Sequence, residues 1–385
     1  MNKELKKTIE LLDELIKFDT SNPVGNEKEC ALYLENVLKS FGFTTSVQII
    51  DGYPNRANLV ASIGSKFGKK LMYNGHLDVV PPGDNWKTSP FNITLKDNKI
   101  YGRGTCDMKG GIASMVSAAL QLVEDGFNFD NGELILVFVA DEELNNLGMK
   151  HYLKSSEFVK ADYAIISEPT NGEFCIAHRG VARYEISIKG VSCHAGVPAN
   201  GINAIVNASH AVIKLDELNN KLSLKKHEIL PPPTLVPTII NGGTKDNVLP
   251  DVVRINVDRR TLPDEDQYTC MKEIEDSFSS LKNSVNGFNY EIKPYIYLKA
   301  GYISKNSEIV NECSKVYKNI FNREAVANYF AACNEQNFLI EAGIPTIIYG
   351  PGDLNQAHTV DEFVTTDSLY ESTKFFYEFA KSVLS

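Results

Sequence analysis

The sequence predicts an α/β protein: a mostly parallel sheet flanked by helices, interrupted by an inserted α+β lid of β-α-β-β-α-β order. Three observations predict it. Short, wholly apolar runs alternate with amphipathic helical stretches through the first part of the chain, as in a parallel sheet buried on both faces. Near Arg179 the pattern changes to strands in which every second residue is apolar, the mark of a half-exposed sheet. The first character then resumes for the last part of the chain. A length of 385 residues also exceeds what one typical core requires and favours two domains.

The elements follow in order. Leu5, Ile9, Leu12 and Ile16 fall on one face of a first helix, which Asp19-Thr20-Ser21-Asn22-Pro23 ends. A second helix is expected over about 28–41. Apolar strands are expected at 71–74, 134–140 and 163–166. Between the first two of these strands, Ile112, Met115, Val116, Ala119, Leu120 and Val123 keep helical spacing over 109–124. The inserted part reads as a strand at 181–188, a helix at 200–218, strands at 235–241 and 252–258, a helix at 265–281 and a strand at 290–298. That order is a split βαβ pattern. A helix at 308–321, a strand at 346–349 and a helix at 368–384 complete the chain. The expected division is 1–177 with 299–385 as the catalytic domain and 178–298 as the lid or dimerisation domain. Hinges are expected near 177–179 and 299–302.

Composition narrows the function. Apolar residues make up 43 % and charged residues 23 %, with a net charge of −10. That balance is globular, and it argues against nucleic acid as a partner, which needs clustered Lys and Arg. Seven scattered cysteines without a CxxC pair indicate neither a disulfide framework nor a structural zinc site. The first residues carry acids throughout and no apolar core of a signal peptide. No apolar run approaches the ~18 residues of a membrane span. The expected location is the cytoplasm, with no membrane partner.

The chemistry lies at the ends of the apolar strands. Leu71–Asn74 runs into Gly75-His76-Leu77-Asp78, and Leu136–Ala140 into Asp141-Glu142-Glu143. Ala164–Ile166 runs into Ser167-Glu168-Pro169, and Thr346–Tyr349 into Gly350-Pro351-Gly352 with His358 beyond. In open α/β sheets the carboxyl ends of strands meet at one crevice. Imidazoles and carboxylates delivered there suit zinc, with cobalt or manganese as alternatives. His76 and Asp78 are two apart and face the same way on a strand, so one can ligate while the other orients it. Glu142 and Glu143 diverge, leaving one to bind metal and the other to move protons. Asp107, in the turn Gly102-Arg103-Gly104-Thr105-Cys106-Asp107, can bridge two ions. Two dications against the carboxylates of Asp107, Glu143 and Glu168 nearly balance once a hydroxide binds. Ions about 3.5–4 Å apart bring the pKa of water towards ~7 and polarise a carbonyl.

The segments GHLDVVP, GRGTCDMKGG, ADEE, SEPT, CHAGVPANGINA and GPGDLNQAHTVDE resemble the M20 metallopeptidase family, in its acetylornithine deacetylase and succinyl-diaminopimelate desuccinylase branch. The resemblance spans nearly the whole chain in the family's order. It implies a two-zinc catalytic domain with an inserted lid or dimerisation domain. It further implies that His76 and Glu168 hold one metal, that Glu143 and His358 hold the other, and that Asp107 bridges them. Asp78 then orients His76, and Glu142 is the general base. In the lid, His194 matches a histidine that stabilises the oxyanion, often from the partner subunit, so a homodimer is implied. Arg260 matches an arginine that grips a substrate carboxylate, and Asn247 an asparagine near the same pocket. The chain departs from the family at Ala332-Cys333-Asn334-Glu335, where Gly-Thr/Ser-Asp is frequent.

The expected activity is hydrolysis of the amide bond of a small N-acyl amino acid. The alternatives are a di- or tripeptidase or aminoacylase of the same family, and a metal-bound protein that binds amino acids or peptides without turnover. Gly102-x-Gly104-x-x-Asp107 is not a phosphate loop, since it lacks the third glycine and puts an acid where phosphate would sit. Cys106 and Cys193 are not read as nucleophiles, because an acidic site raises a thiol pKa. His151, His210 and His227 are read as ordinary surface or core residues, and nothing in the sequence assigns His178.

Overall fold

The computed structural model describes residues 2–385. The chain divides into two compact units. One comprises residues up to Ile176, Ile303–Phe330 and Asn334–Ser385; the other comprises Ala177–Tyr302 with Ala331–Cys333.

The first unit is built on four parallel strands, in the order Gly132–Val139, Lys69–His76, Tyr163–Ile166 and Thr346–Ile348. These are the four apolar runs of the sequence, and Gly132–Val139 is buried along its whole length. The register places His76 beside Val139 and Asn74 beside Ile166, so the strand ends that carry polar residues lie level. Antiparallel strands extend the sheet beyond this core. Tyr53–Gly64 and Thr44–Ile50 lie on one side, and Phe174–His178 meets Thr346–Ile348 on the other. The sequence reading omits Tyr53–Gly64 because Arg56 and Asn58 interrupt its apolar run, yet both are buried. The helices Lys3–Ile16, Lys109–Glu124 and Thr366–Leu384 cover the sheet. Buried Lys109 donates from Nζ to the carbonyls of Leu15 (3.0 Å) and Phe18 (2.8 Å) and so ties the end of Lys3–Ile16 to the start of Lys109–Glu124. A small sheet of Phe363–Thr365, Lys99–Tyr101 and Thr94–Lys96 joins the segment after His358 to the one before Asp107.

The second unit is a four-stranded antiparallel sheet in the order Thr234–Gly242, Val252–Thr261, Gly180–Lys189, Asn289–Leu298. Its helices are Ala204–Leu222 and Gln267–Ser284. The chain order is β-α-β-β-α-β, as expected. Ala182, Tyr184, Ile186 and Ile188 point into one core with Ile255, Ala208, Leu215, Ile274 and Phe278. Ala204 opens its helix later than the periodicity predicts, because Pro198–Asn200 forms a short 3-10 turn and Asn203 caps the helix. Among the described residues no helix is long and apolar enough to cross a membrane, and none of the seven cysteines forms a disulfide.

Candidate metal centre

His76 ends the strand Lys69–His76 and is 1 % exposed. Its Nδ1 lies 2.9 Å from the carbonyl oxygen of Asp78. A carbonyl only accepts, so Nδ1 carries the hydrogen and Nε2 turns towards the carboxylates. Nε2 is 3.2 Å from Asp107 Oδ1 and 3.8 Å from Glu168 Oε1. On the other side, His358 Nε2 is 3.0 Å from Glu143 Oε1 and 3.4 Å from Asp107 Oδ2. The two oxygens of Asp107 therefore face two different imidazoles. His76, Asp107 and Glu143 each place a ligand atom within 4.8 Å of the others. The five residues from four strand ends and one turn are brought together.

Each is fixed locally. The turn bearing Asp107 wraps round the buried carboxylate of Glu362, which accepts the N–H groups of Cys106 at 2.8 Å and Asp107 at 3.0 Å. Glu362 also accepts from Arg103 Nη1 at 2.5 Å. Glu168 follows Ser167, whose N–H reaches Asn74 O at 3.1 Å. Thr170 and Asn171 pair with Gly350 and Gly352 and draw the loop towards His358 alongside. His358 itself has φ +62° and a side chain 53 % exposed.

Asp78 meets both His76 and the Glu142-Glu143 corner. Its carboxylate is 3.7 Å from His76 Nδ1, while its two oxygens accept the backbone N–H of Glu142 at 3.0 Å and of Glu143 at 3.1 Å. Asp78 thus meets His76 through its backbone and the Glu142-Glu143 corner through its side chain.

The electrostatics call for positive charge. Burial pushes the carboxyls of Glu142, Glu143 and Glu168 above their ordinary range, and neighbouring carboxylates add to it. Burial opposes ionisation of Asp107 too, but hydrogen bonds from His358 and His76 hold it far below the usual carboxylate range. His358 is pushed up to about 10 by Asp107 and Glu143. For His76, burial disfavours the charge, yet Asp107 and the nearby acids outweigh it and raise the pKa. The N/O donor set of imidazoles and carboxylates fits divalent cations.

Glu335, within the segment where the sequence departs from the family pattern, is buried, and burial pushes its carboxyl up to about 8 in the field of His76 and Asp78. The sequence singled out the segment, not this acid. Cys106 is buried, with Sγ 3.3 Å from Asp353 O. His178 is buried and held at about 4 by desolvation. His210 is exposed, and His227 Nδ1 accepts the N–H of Leu230 at 3.2 Å.

In the second unit, His194 and Asn247 lie on paired loops: Ala195 N–H reaches Asn247 O at 2.9 Å, and His194 bridges to Val248. Both side chains are exposed. Arg260 lies on Val252–Thr261, its Nε 2.8 Å from Asp258 Oδ1.

The sequence model of peptidase family M20/M25/M40 matches residues 72–382. The chain is 31 % identical over 382 residues to an acetylornithine deacetylase of Vibrio atlanticus, covering 94 % of this chain and 93 % of that protein. It is 28 % identical over 402 residues to a probable succinyl-diaminopimelate desuccinylase of Staphylococcus aureus, covering 97 % and 96 %. The solved structure of aminopeptidase PepT from Bacillus cereus shares the fold, with a TM-score of 0.83, 21 % identity and 99 % of each chain covered.

Proposed function

The chain belongs to peptidase family M20/M25/M40 and is a metal-dependent amide hydrolase; from that premise we propose that it removes the acyl group from a small N-acyl amino acid. The names of its relatives support an acetyl or succinyl group. The observation that carries the proposal is the Asp107 carboxylate, one oxygen 3.2 Å from His76 Nε2 and the other 3.4 Å from His358 Nε2. A carboxylate so shared is built to bridge two cations.

His76 and Glu168 would hold one divalent ion, Glu143 and His358 the other, with Asp107 shared between them; zinc suits the donors best, with cobalt or manganese as alternatives. Two such ions polarise an amide carbonyl and bring the pKa of water towards ~7. Glu142, whose proton affinity burial raises, takes a proton from the attacking water and returns it to the departing amine nitrogen. Arg260 grips the substrate's α-carboxylate through its planar fork. Asn247 lines the same pocket, and His194 donates to the developing oxyanion.

A homodimer supplies His194 from the partner in this scheme. The exposed side chains of Ile205, Val206 and Ile213 on Ala204–Leu222, and of Val236, Ile239 and Ile240 on the edge strand Thr234–Gly242, support such a contact. The scattered thiols and the lack of a membrane-crossing helix among the described residues support a cytoplasmic location.

The test is a panel of N-acetyl and N-succinyl amino acids beside di- and tripeptides, assayed with zinc, cobalt and manganese. Hydrolysis of an N-acyl amino acid that stops on chelation is the expected result. Preference for peptides would move the assignment to a peptidase. Metal binding without any turnover would leave a binding protein, and full activity under a tight chelator would end the assignment.

A further inference from the structure

The corner that carries Glu142 is held residue by residue from behind. Strand Tyr53–Gly64 runs antiparallel to Gly132–Val139 and turns two buried polar side chains towards its end. Asn58 Oδ1 accepts the N–H of Ala140 at 3.1 Å. Arg56 Nη1 donates to Asp141 Oδ1 at 2.6 Å and to Glu27 Oε1 at 3.0 Å. Its Nη2 donates to Asn22 Oδ1 at 2.6 Å and to Pro23 O at 2.9 Å. The amide of Asn22 is thereby oriented, and its Nδ2 donates to Asp78 Oδ2 at 2.6 Å. Asp78 in turn accepts the N–H groups of Glu142 and Glu143. Residues 140 to 143 are thus anchored one after another, and two of the anchors lead back to one guanidinium.

The loop is shaped to this arrangement. A Cβ at Gly25, where φ is +61°, would lie 2.4 Å from Arg56 Cζ, so only glycine lets the chain close over the guanidinium. Arg56 is 3 % exposed and faces two buried carboxyls. A planar fork meets both of them and the Asn22 amide at once; an ammonium cannot.

We propose that Arg56, acting through Asn22 and Asp78 and through Asp141, is a positioning residue that fixes the Glu142 carboxylate for proton transfer. The proposal rests on Glu142 being the general base. A simple fold-stabilising role predicts lost stability with unchanged turnover of the folded, loaded enzyme. A positioning role predicts lost turnover, since a displacement near 1 Å at a reacting group costs about 100-fold.

The experiment measures kcat and KM at saturating zinc, with zinc content checked against wild type. Asn22→Ala, which removes no charge, should lower kcat about 10–100-fold with KM within about threefold. Arg56→Lys should do the same. If Arg56→Lys fails to fold because Glu27 and Asp141 lose their partner, Asn22→Ala carries the test alone. Unchanged kcat in folded, fully loaded Asn22→Ala, with only a lower Tm, would overturn the proposal. In a Glu142→Gln background, Asn22→Ala should cost little further kcat, because the group it positions is gone. An equal fractional loss in that background would also overturn it. If Glu142→Gln itself keeps most of its kcat, the base assignment fails, and the proposal, which rests on it, falls with it.

Discussion

In the unit that carries the metal centre, His76 is held by Asp78 O and faces Asp107, Asp107 sits on a turn gathered round Glu362, and Glu142 and Glu143 hang from the Asp78 carboxylate. In the other unit, the side chains of His194 and Asn247 are exposed, and Arg260 pairs with Asp258. The first set is held by short contacts within its own unit, the fixed arrangement that electrostatic catalysis requires. His194 and Asn247 lie at the surface, as suits the roles proposed for them. Substitutions in the two units should therefore fail in different ways.

The largest effect is expected at Glu142. Glu142→Gln should keep its full metal content and lose about 10³–10⁴ in kcat, whereas Glu143→Gln should lose metal. Equal metal loss in both variants would show the two roles exchanged and blur the contrast. His194→Ala should lower kcat about 10²–10³-fold, as for a lost oxyanion donor, without changing metal content; if a monomer prepared by disrupting the apolar face of Ala204–Leu222 stays fully active, that histidine does not come from a partner. Arg260→Ala should raise KM about 10–100-fold for free acids, the range of one or two charge-assisted hydrogen bonds, and amidated substrates should be poor for the wild type.

The smallest effect concerns pH in chelated protein. His358 is raised to about 10 from 6.5 by Asp107 and Glu143. A raised histidine stabilises fully below its unfolded value, and that contribution disappears as pH rises through the folded value. Glu143 and Glu168 are also raised, so their effect has the same sign: stability present below about 4.5 is lost as they ionise. Chelated protein should thus melt at a lower temperature at about pH 9 than at about pH 6, and added zinc should flatten the slope. A slope that zinc leaves untouched would place its cause outside the centre.

The parallel core and three of the proposed ligands were legible because His76, Glu143 and Glu168 each end or follow an apolar strand within a few residues. The resemblance then separated Glu142 from Glu143, which the sequence pattern alone left open. What stayed hidden depends on distant partners. Arg56 and Asn58 look like breaks in a strand until Asp141, 85 residues on, and Ala140 are seen to use them. Glu362, which nothing in the sequence singles out, meets the Asp107 N–H across 255 residues. Asp78 was read through its nearest sequence neighbour, His76, while its carboxylate reaches 64 residues ahead to Glu142.

The Glu143–His358 contact spans 215 residues, and that distance has a meaning for biosynthesis. A ribosome releases His76, Asp107, Glu143 and Glu168 long before His358, and Thr346–Ile348 cannot join Tyr163–Ile166 until both have emerged. From residue 168 to residue 358 the nascent chain carries four acid or imidazole donors without the one that would complete the proposed set. If His358 is a ligand, maturation would be timed by the segment that carries it, and ribosome-bound chains stalled before residue 358 should capture less zinc than released ones.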